Sequence, residues 1–168
     1  MLLKILGSGI LLLAGGYVSL AIVAFERRRL RVLDGYISLI YYIKGQIDCY
    51  ALPLTDILAS VDPTILLACL GVDTGALRLS AEPPETCDLT DMVRQSRLYL
   101  QPESERLLTT MTGELGTTYR AEQVRRCEYY LSALTEERCK LYETLPGRLR
   151  TTCTLCLCCA LGTAVLLW

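Results

Sequence analysis

Apolar residues gather into two charge-free stretches at the ends of this chain, Ile5–Phe25 and Thr151–Trp168, and every charged residue except Lys4 lies between them. At about 1.5 Å of rise per helical residue, either stretch reaches across a hydrocarbon core of roughly 30 Å, the second with little to spare. The pattern predicts transmembrane helices over 1–25 and 149–168 and a water-facing domain over 26–148. Lys4 followed by an apolar run also fits a cleaved signal, with Ser19-Leu20-Ala21 as the tolerable cleavage site. The length of the run and the basic cluster behind it favour a retained anchor.

Between the ends the apolar spacing is helical. Leu30, Leu33, Ile37, Ile40, Ile43 and Ile47 fall three or four apart with no proline before Pro53, so the first span is expected to run on as one long rod. Gly35 and Gly45 weaken that rod, by about 1 kcal/mol each if exposed. A short helix is expected over Thr55–Ser60. Asp62-Pro63 reads as an N-cap with proline at the first helical position, opening a helix through Leu70. Gly71 to Pro84 reads as a loop. Asp88 is placed to cap a helix bearing Leu89, Met92, Val93 and Leu100. Pro102 with Glu103 and Glu105 suits the start of another, buried through Leu107, Leu108, Met111 and Leu115 and closed by Gly113-Glu114-Leu115-Gly116. Cys127, Leu131, Leu134, Leu141 and Leu145 mark the last soluble helix, with Arg138 interrupting the seam and Pro146-Gly147 breaking it before the second span. No segment alternates as a half-buried strand does. The fold class is all-α: a small antiparallel helical bundle flanked by an N-terminal and a C-terminal transmembrane helix.

Charge sets the expected topology. Arg27, Arg28, Arg29 and Arg31 follow the first span, and Arg148 and Arg150 precede the second, so the positive-inside bias places the domain in the cytoplasm. The first four form a membrane-surface basic cluster, suited to anionic lipid as well as to topology. A net charge of −1 gives no pull toward nucleic acid.

Candidate chemistry is sparse. The chain has no histidine, which removes the commonest general base and metal ligand. Of nine cysteines, Cys153, Cys156, Cys158 and Cys159 lie inside the terminal span, where one helix would scatter them around its circumference, so small apolar packing groups are expected over a zinc site. The other five, Cys49, Cys69, Cys87, Cys127 and Cys139, suit reduced thiols that pack as small apolar groups. Gly15-x-x-x-Ser19 and Cys158-x-x-x-Gly162 are weak signals for contact between spans. Tyr36, Tyr41, Tyr42, Tyr50, Tyr129, Tyr130 and Tyr142 suit core lining first and a partner face second. Arg125-Arg126 and Glu136-Glu137 read as a solvated helix face. Neither Gly71-Val-Asp-Thr-Gly75 nor Gly113-Glu-Leu-Gly116 is followed by the Lys-Ser or Lys-Thr of a phosphate loop. No catalytic, cofactor-binding or metal residue is expected, and the chain is read as no enzyme.

Three local patterns resemble one known family. Arg29-Leu30 through Leu33, Ile37, Ile40 and Ile47 to Tyr50 and Pro53-Leu54 resembles that family's long first helix. Leu115-Gly116 with Gln123 seven residues on resembles its Leu-Gly and glutamine, and the late helix runs straight into a terminal apolar span. The family is stage III sporulation protein AB of endospore-forming bacteria. Tyr119 stands where that family often has an acidic residue, no tryptophan lies near Met92-Val93, and cysteines replace the glycines usual at the start of the last span. The resemblance marks Pro53, Leu54, Leu115, Gly116 and Gln123 as structural or partner-facing positions. It implies a helical domain similar to the platform proteins of type II secretion systems, in the mother-cell membrane facing the forespore. The implied partners are a cytoplasmic ATPase and polytopic membrane proteins, with a homo-oligomer also open. The expected function is a non-enzymatic platform subunit of the channel complex between mother cell and forespore. The alternative is a membrane-tethered adaptor or regulator that binds one soluble partner outside any secretion-like machine.

Overall fold

The computed structural model describes residues 2–50, 53–72, 88–116 and 119–166. Among the described residues six α-helices occur in chain order: α1 Leu2–Tyr50, α2 Leu54–Ala59, α3 Pro63–Cys69, α4 Leu89–Ser96, α5 Pro102–Glu114 and α6 Arg120–Leu166, with a 3₁₀ turn Arg97–Tyr99 between α4 and α5. No strand occurs among the described residues, and the fold is all-α.

The chain divides into two compact units, one of Met1–Arg27 with Leu141–Trp168 and one of Arg28–Lys140. In the first, Ser19 Oγ donates to the Gly15 carbonyl at 3.0 Å, so that hydroxyl is spent on its own helix. Among the described residues no helix is long and apolar enough to cross a membrane, and the transmembrane helices expected over 1–25 and 149–168 are unsupported on that count. The described side chains leave uninterrupted apolar stretches of 13–25 and 151–159, each short of the roughly 20 residues a span needs. Residues 1, 167 and 168 and the side chains of 2–6, 8–12, 160 and 164–166 lie outside the described residues.

The second unit is built around α1. Val32, Leu33, Tyr36, Leu39, Ile40, Ile43 and Ile47 are buried, one stripe at helical spacing. The stripe centres on Tyr36 rather than on the isoleucines, so Ile37 is only partly buried. A phenol tolerates such a place only if its hydroxyl is bonded. Tyr36 Oη lies 2.7 Å from Ser96 Oγ of α4. The Ser96 hydroxyl lies 3.0 Å from the Met92 carbonyl and 3.2 Å from that of Val93, so it donates into its own helix and receives the tyrosine proton.

Around this stripe the short helices start where local chemistry starts them. Asp62 accepts from the Thr64 amide at 2.8 Å and caps α3, with Pro63 at its first position. The Asp62 carboxyl is held below its ordinary pKa by that amide and by the Thr64 hydroxyl. Asp88 caps α4 through the Thr90 amide at 3.2 Å. Gly71, at φ +69, ends α3 with the Val72 amide reaching back to Leu67 at 3.1 Å. The rest of the loop expected after it, 73–84, lies outside the described residues.

α6 lies antiparallel to α1 in this unit: Asp34 pairs with Arg138, Lys44 with Glu128 at 2.7 Å and Asp48 with Arg120 at 3.5 Å. Each exposed pair adds little energy, but the three fix one register. Arg138, expected to interrupt the seam, is a register pin at its edge. Cys127, Tyr130 and Leu134 face the core, with Tyr130 in the place expected of Leu131. The break expected at Pro146-Gly147 does not occur; α6 runs through Pro146. Proline there removes one backbone bond, and Tyr142, Pro146 and Gly147 are all exposed, so water can serve the carbonyl left over.

The two glycines of the rod differ in kind. A Cβ on Gly35 would stand 2.7 Å from the Cys69 amide nitrogen and 2.8 Å from the Ala68 carbonyl carbon, whereas one on Gly45 meets nothing within 4 Å. Gly35→Ala must push α3 off α1 and should cost about 1–3 kcal/mol, as overpacking does. Gly45→Ala should gain about 0.5–1 kcal/mol from helix propensity. Urea unfolding of the full chain checks both, and equal shifts would contradict the close approach of α1 and α3.

Candidate functional site

The described surface carries an open cleft of about 670 Å³ between α5 and the first half of α6. Glu103, Arg106, Leu107, Thr110 and Glu114 line it from α5, and Glu122, Arg125, Arg126, Tyr129 and Tyr130 from α6. The helical repeat explains the lining: Glu103, Arg106, Leu107, Thr110 and Glu114, and likewise Glu122, Arg125, Arg126, Tyr129 and Tyr130, recur at one-turn intervals on one face of each helix. Arg126 bridges the walls, 3.2 Å from Glu114 and 3.3 Å from Glu122. Arg125 adds a second contact to Glu122 at 3.4 Å. Tyr130 donates to Glu114 at 2.8 Å. Burial, and then the hydrogen bond to Glu114, pushes the Tyr130 phenol up to about 12, so it stays protonated and donating at neutral pH. Arg126 was expected on a solvated face; the neighbouring α5 turns that position into the cleft wall. Glu136 keeps the expected role, with its carboxyl lowered by Lys140 at 2.8 Å.

The positions singled out in the sequence fall in separate places. Pro53 is exposed, and its carbonyl receives the Asp56 and Ile57 amides at 3.1 Å, opening α2 with Leu54 packed against the core. Leu115 and Gly116 follow the end of α5, and Gln123 lies in the first turn of α6. Leu115 is buried, Gly116 has φ +86, and the Gln123 amide donates to the Tyr119 carbonyl at 3.0 Å. None of the three is among the residues that line the cleft.

Of the basic cluster, Arg27 and Arg31 are exposed. Arg28 Nη1 donates to Tyr99 Oη at 3.1 Å with its guanidinium 5.4 Å from the ring centre, and Arg29 Nε donates to the Tyr99 carbonyl at 3.4 Å. The sequence reading missed this junction, since about 70 residues separate its halves and no local pattern joins them.

Cysteine and tyrosine chemistry is divided by burial. Cys69 and Cys127 are buried, and burial pushes the Cys69 thiol up to about 12 and raises that of Cys127, so both pack as thiols. Cys49 and Cys139 are exposed, Cys153 and Cys156 half-buried, Cys158 and Cys159 exposed, all free; Cys87 lies outside the described residues. Tyr36 and Tyr130 line the core, but Tyr41, Tyr50, Tyr129 and Tyr142 are exposed, contrary to the expected core lining. Among the described residues no group of three or more cysteines and carboxylates is placed to hold a metal ion.

An all-helical domain with a filled core and an ion-bridged cleft is the class defined so far. The profile of one family, stage III sporulation protein AB, matches residues 4–168, and the chain belongs to that family, whose role lies in sporulation. No curated protein and no solved structure matches it.

The buried Tyr130 phenol makes a pH prediction. Its folded pKa lies above the ordinary value of about 10, so its contribution to stability is complete below pH 10 and is lost as pH rises through about 12. Tyr36, raised by burial, acts with the same sign. Tyr130→Phe should therefore flatten, without abolishing, the fall in unfolding midpoint between pH 9 and 12. An unchanged slope would contradict the buried bond to Glu114.

Proposed function

We propose that this chain is a non-enzymatic membrane platform subunit of the complex joining mother cell and forespore, passing contacts from a cytoplasmic ATPase to polytopic membrane proteins. The observation that carries the reading is the cleft between α5 and α6. Glu114, Glu122, Arg125 and Arg126 are paired with one another, Arg126 reaching across to α5, which suits recognition by a protein surface better than proton transfer to a small substrate. Arg106 makes no ion pair among the described residues, and Tyr129 is 63 % exposed, the two side-chain types most enriched where proteins bind tightly.

Membership of a sporulation family supports the setting. The charge-free runs Ile5–Phe25 and Thr151–Trp168 support anchorage at both ends in the mother-cell membrane facing the forespore. The arginines flanking both runs, and free thiols at Cys49 and Cys139, support a cytoplasmic domain.

Photo-crosslinkers at Arg106 and Tyr129 in the full chain, in sporulating cells, test the proposal. Adducts with the ATPase and with polytopic membrane proteins are expected from these positions and not from Thr109 on the far side of α5. A single soluble partner unrelated to such a machine would make the chain an adaptor and overturn the platform reading.

A further inference from the structure

We infer that the 3₁₀ turn Arg97–Tyr99 is a second contact with an anionic phospholipid surface, with Leu98 as its apolar point and Arg28 and Arg94 as its phosphate contacts. The inference rests on the proposed anchorage of the first apolar run. Leu98 is 71 % exposed. One exposed leucine is ordinary; its company is not. The neighbouring Tyr99 holds Arg28 through its hydroxyl at 3.1 Å and Arg29 through its carbonyl at 3.4 Å. A phenol and a ring face are neutral partners, so Arg28 keeps its full charge. Arg94, exposed and one helical turn before Leu98, makes no ion pair among the described residues. Arg97 does pair, with Glu105 at 2.8 Å, which holds the turn to α5 and leaves the patch positive.

The patch is assembled by tertiary structure beside one short stretch of α1. Arg28 follows Phe25 by three residues, about 4.5 Å of helical rise, and the headgroup layer on each side of a bilayer is roughly 5–8 Å deep. Arg28, on the same helix, therefore falls within the headgroup layer if the span ends at Phe25. An exposed leucine next to the tyrosine that holds Arg28, and one helical turn from Arg94, matches an anionic lipid surface, where the aliphatic group enters the acyl boundary and the guanidinium groups meet phosphates.

Tryptophan quenching in the full chain tests this. The only native tryptophan, Trp168, is replaced by Trp168→Phe, and Leu98→Trp or Tyr119→Trp supplies a single reporter. Tyr119 is 90 % exposed and precedes Arg120, whose partner Asp48 lies about 30 Å along α1 from Arg28. In vesicles of brominated phosphatidylglycerol, the reporter at position 98 should be strongly quenched and that at 119 should not. Adding Arg94→Gln should lower the docking equilibrium constant about fivefold, the worth of one basic residue at an anionic surface. Brominated phosphatidylcholine should quench position 98 far less, and equal quenching by both lipids would overturn the anionic preference.

Trp168 of the native chain reports membrane anchorage of the last apolar run independently. If it is quenched while position 98 matches position 119, that anchor stands and the patch is refuted. Quenching at 98 without quenching of Trp168 would keep the lipid contact and remove the second span. Silence at both sites would overturn both readings.

Discussion

The Tyr36 hydroxyl lies where water cannot reach it, in the middle of the stripe that every neighbouring helix of the 28–140 unit packs upon. That position is tenable because Ser96 receives its proton and passes its own to carbonyls of α4. One short bond thus fixes the height and rotation of α4 on α1. The rest of that half follows along the chain: the 3₁₀ turn after α4 delivers Tyr99 to Arg28 and Arg29, Leu100 turns the chain inward, and α5 starts at Pro102. The near wall of the cleft is set by where α4 ends.

The far wall is set by α6, whose register on α1 is held by ion pairs at Asp34, Lys44 and Asp48. Gly35 lets α3 close the remaining side, so near that its backbone almost touches α1. The core of this unit is filled by apolar side chains. Specific chemistry is pushed outward, to the paired charges of the cleft, the exposed tyrosines and the arginines near the start of the unit.

Local chemistry was readable from the residues alone. Asp62 before Pro63, Asp88 before a short amphipathic run and Pro102 with two glutamates each start a helix where expected, because capping needs only neighbours. Positive φ at Gly116 matches its place in a Leu-Gly turn. Whatever depended on another helix was not readable. The stripe on α1 turns toward Tyr36 because Ser96 waits 60 residues away. Gly35 is a close-approach point and not a weakness, because Cys69 arrives against it. Arg126 lies in a cleft only because Glu114 stands opposite, and Pro146 sits inside a helix because its surroundings are wet. Identity at the level of the family came from the order and spacing of Pro53-Leu54, Leu115-Gly116 and Gln123, while the cleft came from none of these.

A double-mutant cycle at Tyr36 and Ser96, read by urea unfolding of the full chain, tests the organising role of that bond most directly. Ser96→Ala strands a buried donor and should cost about 1–3 kcal/mol, more than Tyr36→Phe, which leaves the serine still bonded to its own helix. The double variant should cost less than the sum, with a coupling of about 1 kcal/mol or more. Strict additivity, or a harmless Ser96→Ala, would show that α4 is placed by apolar packing alone and would contradict the account.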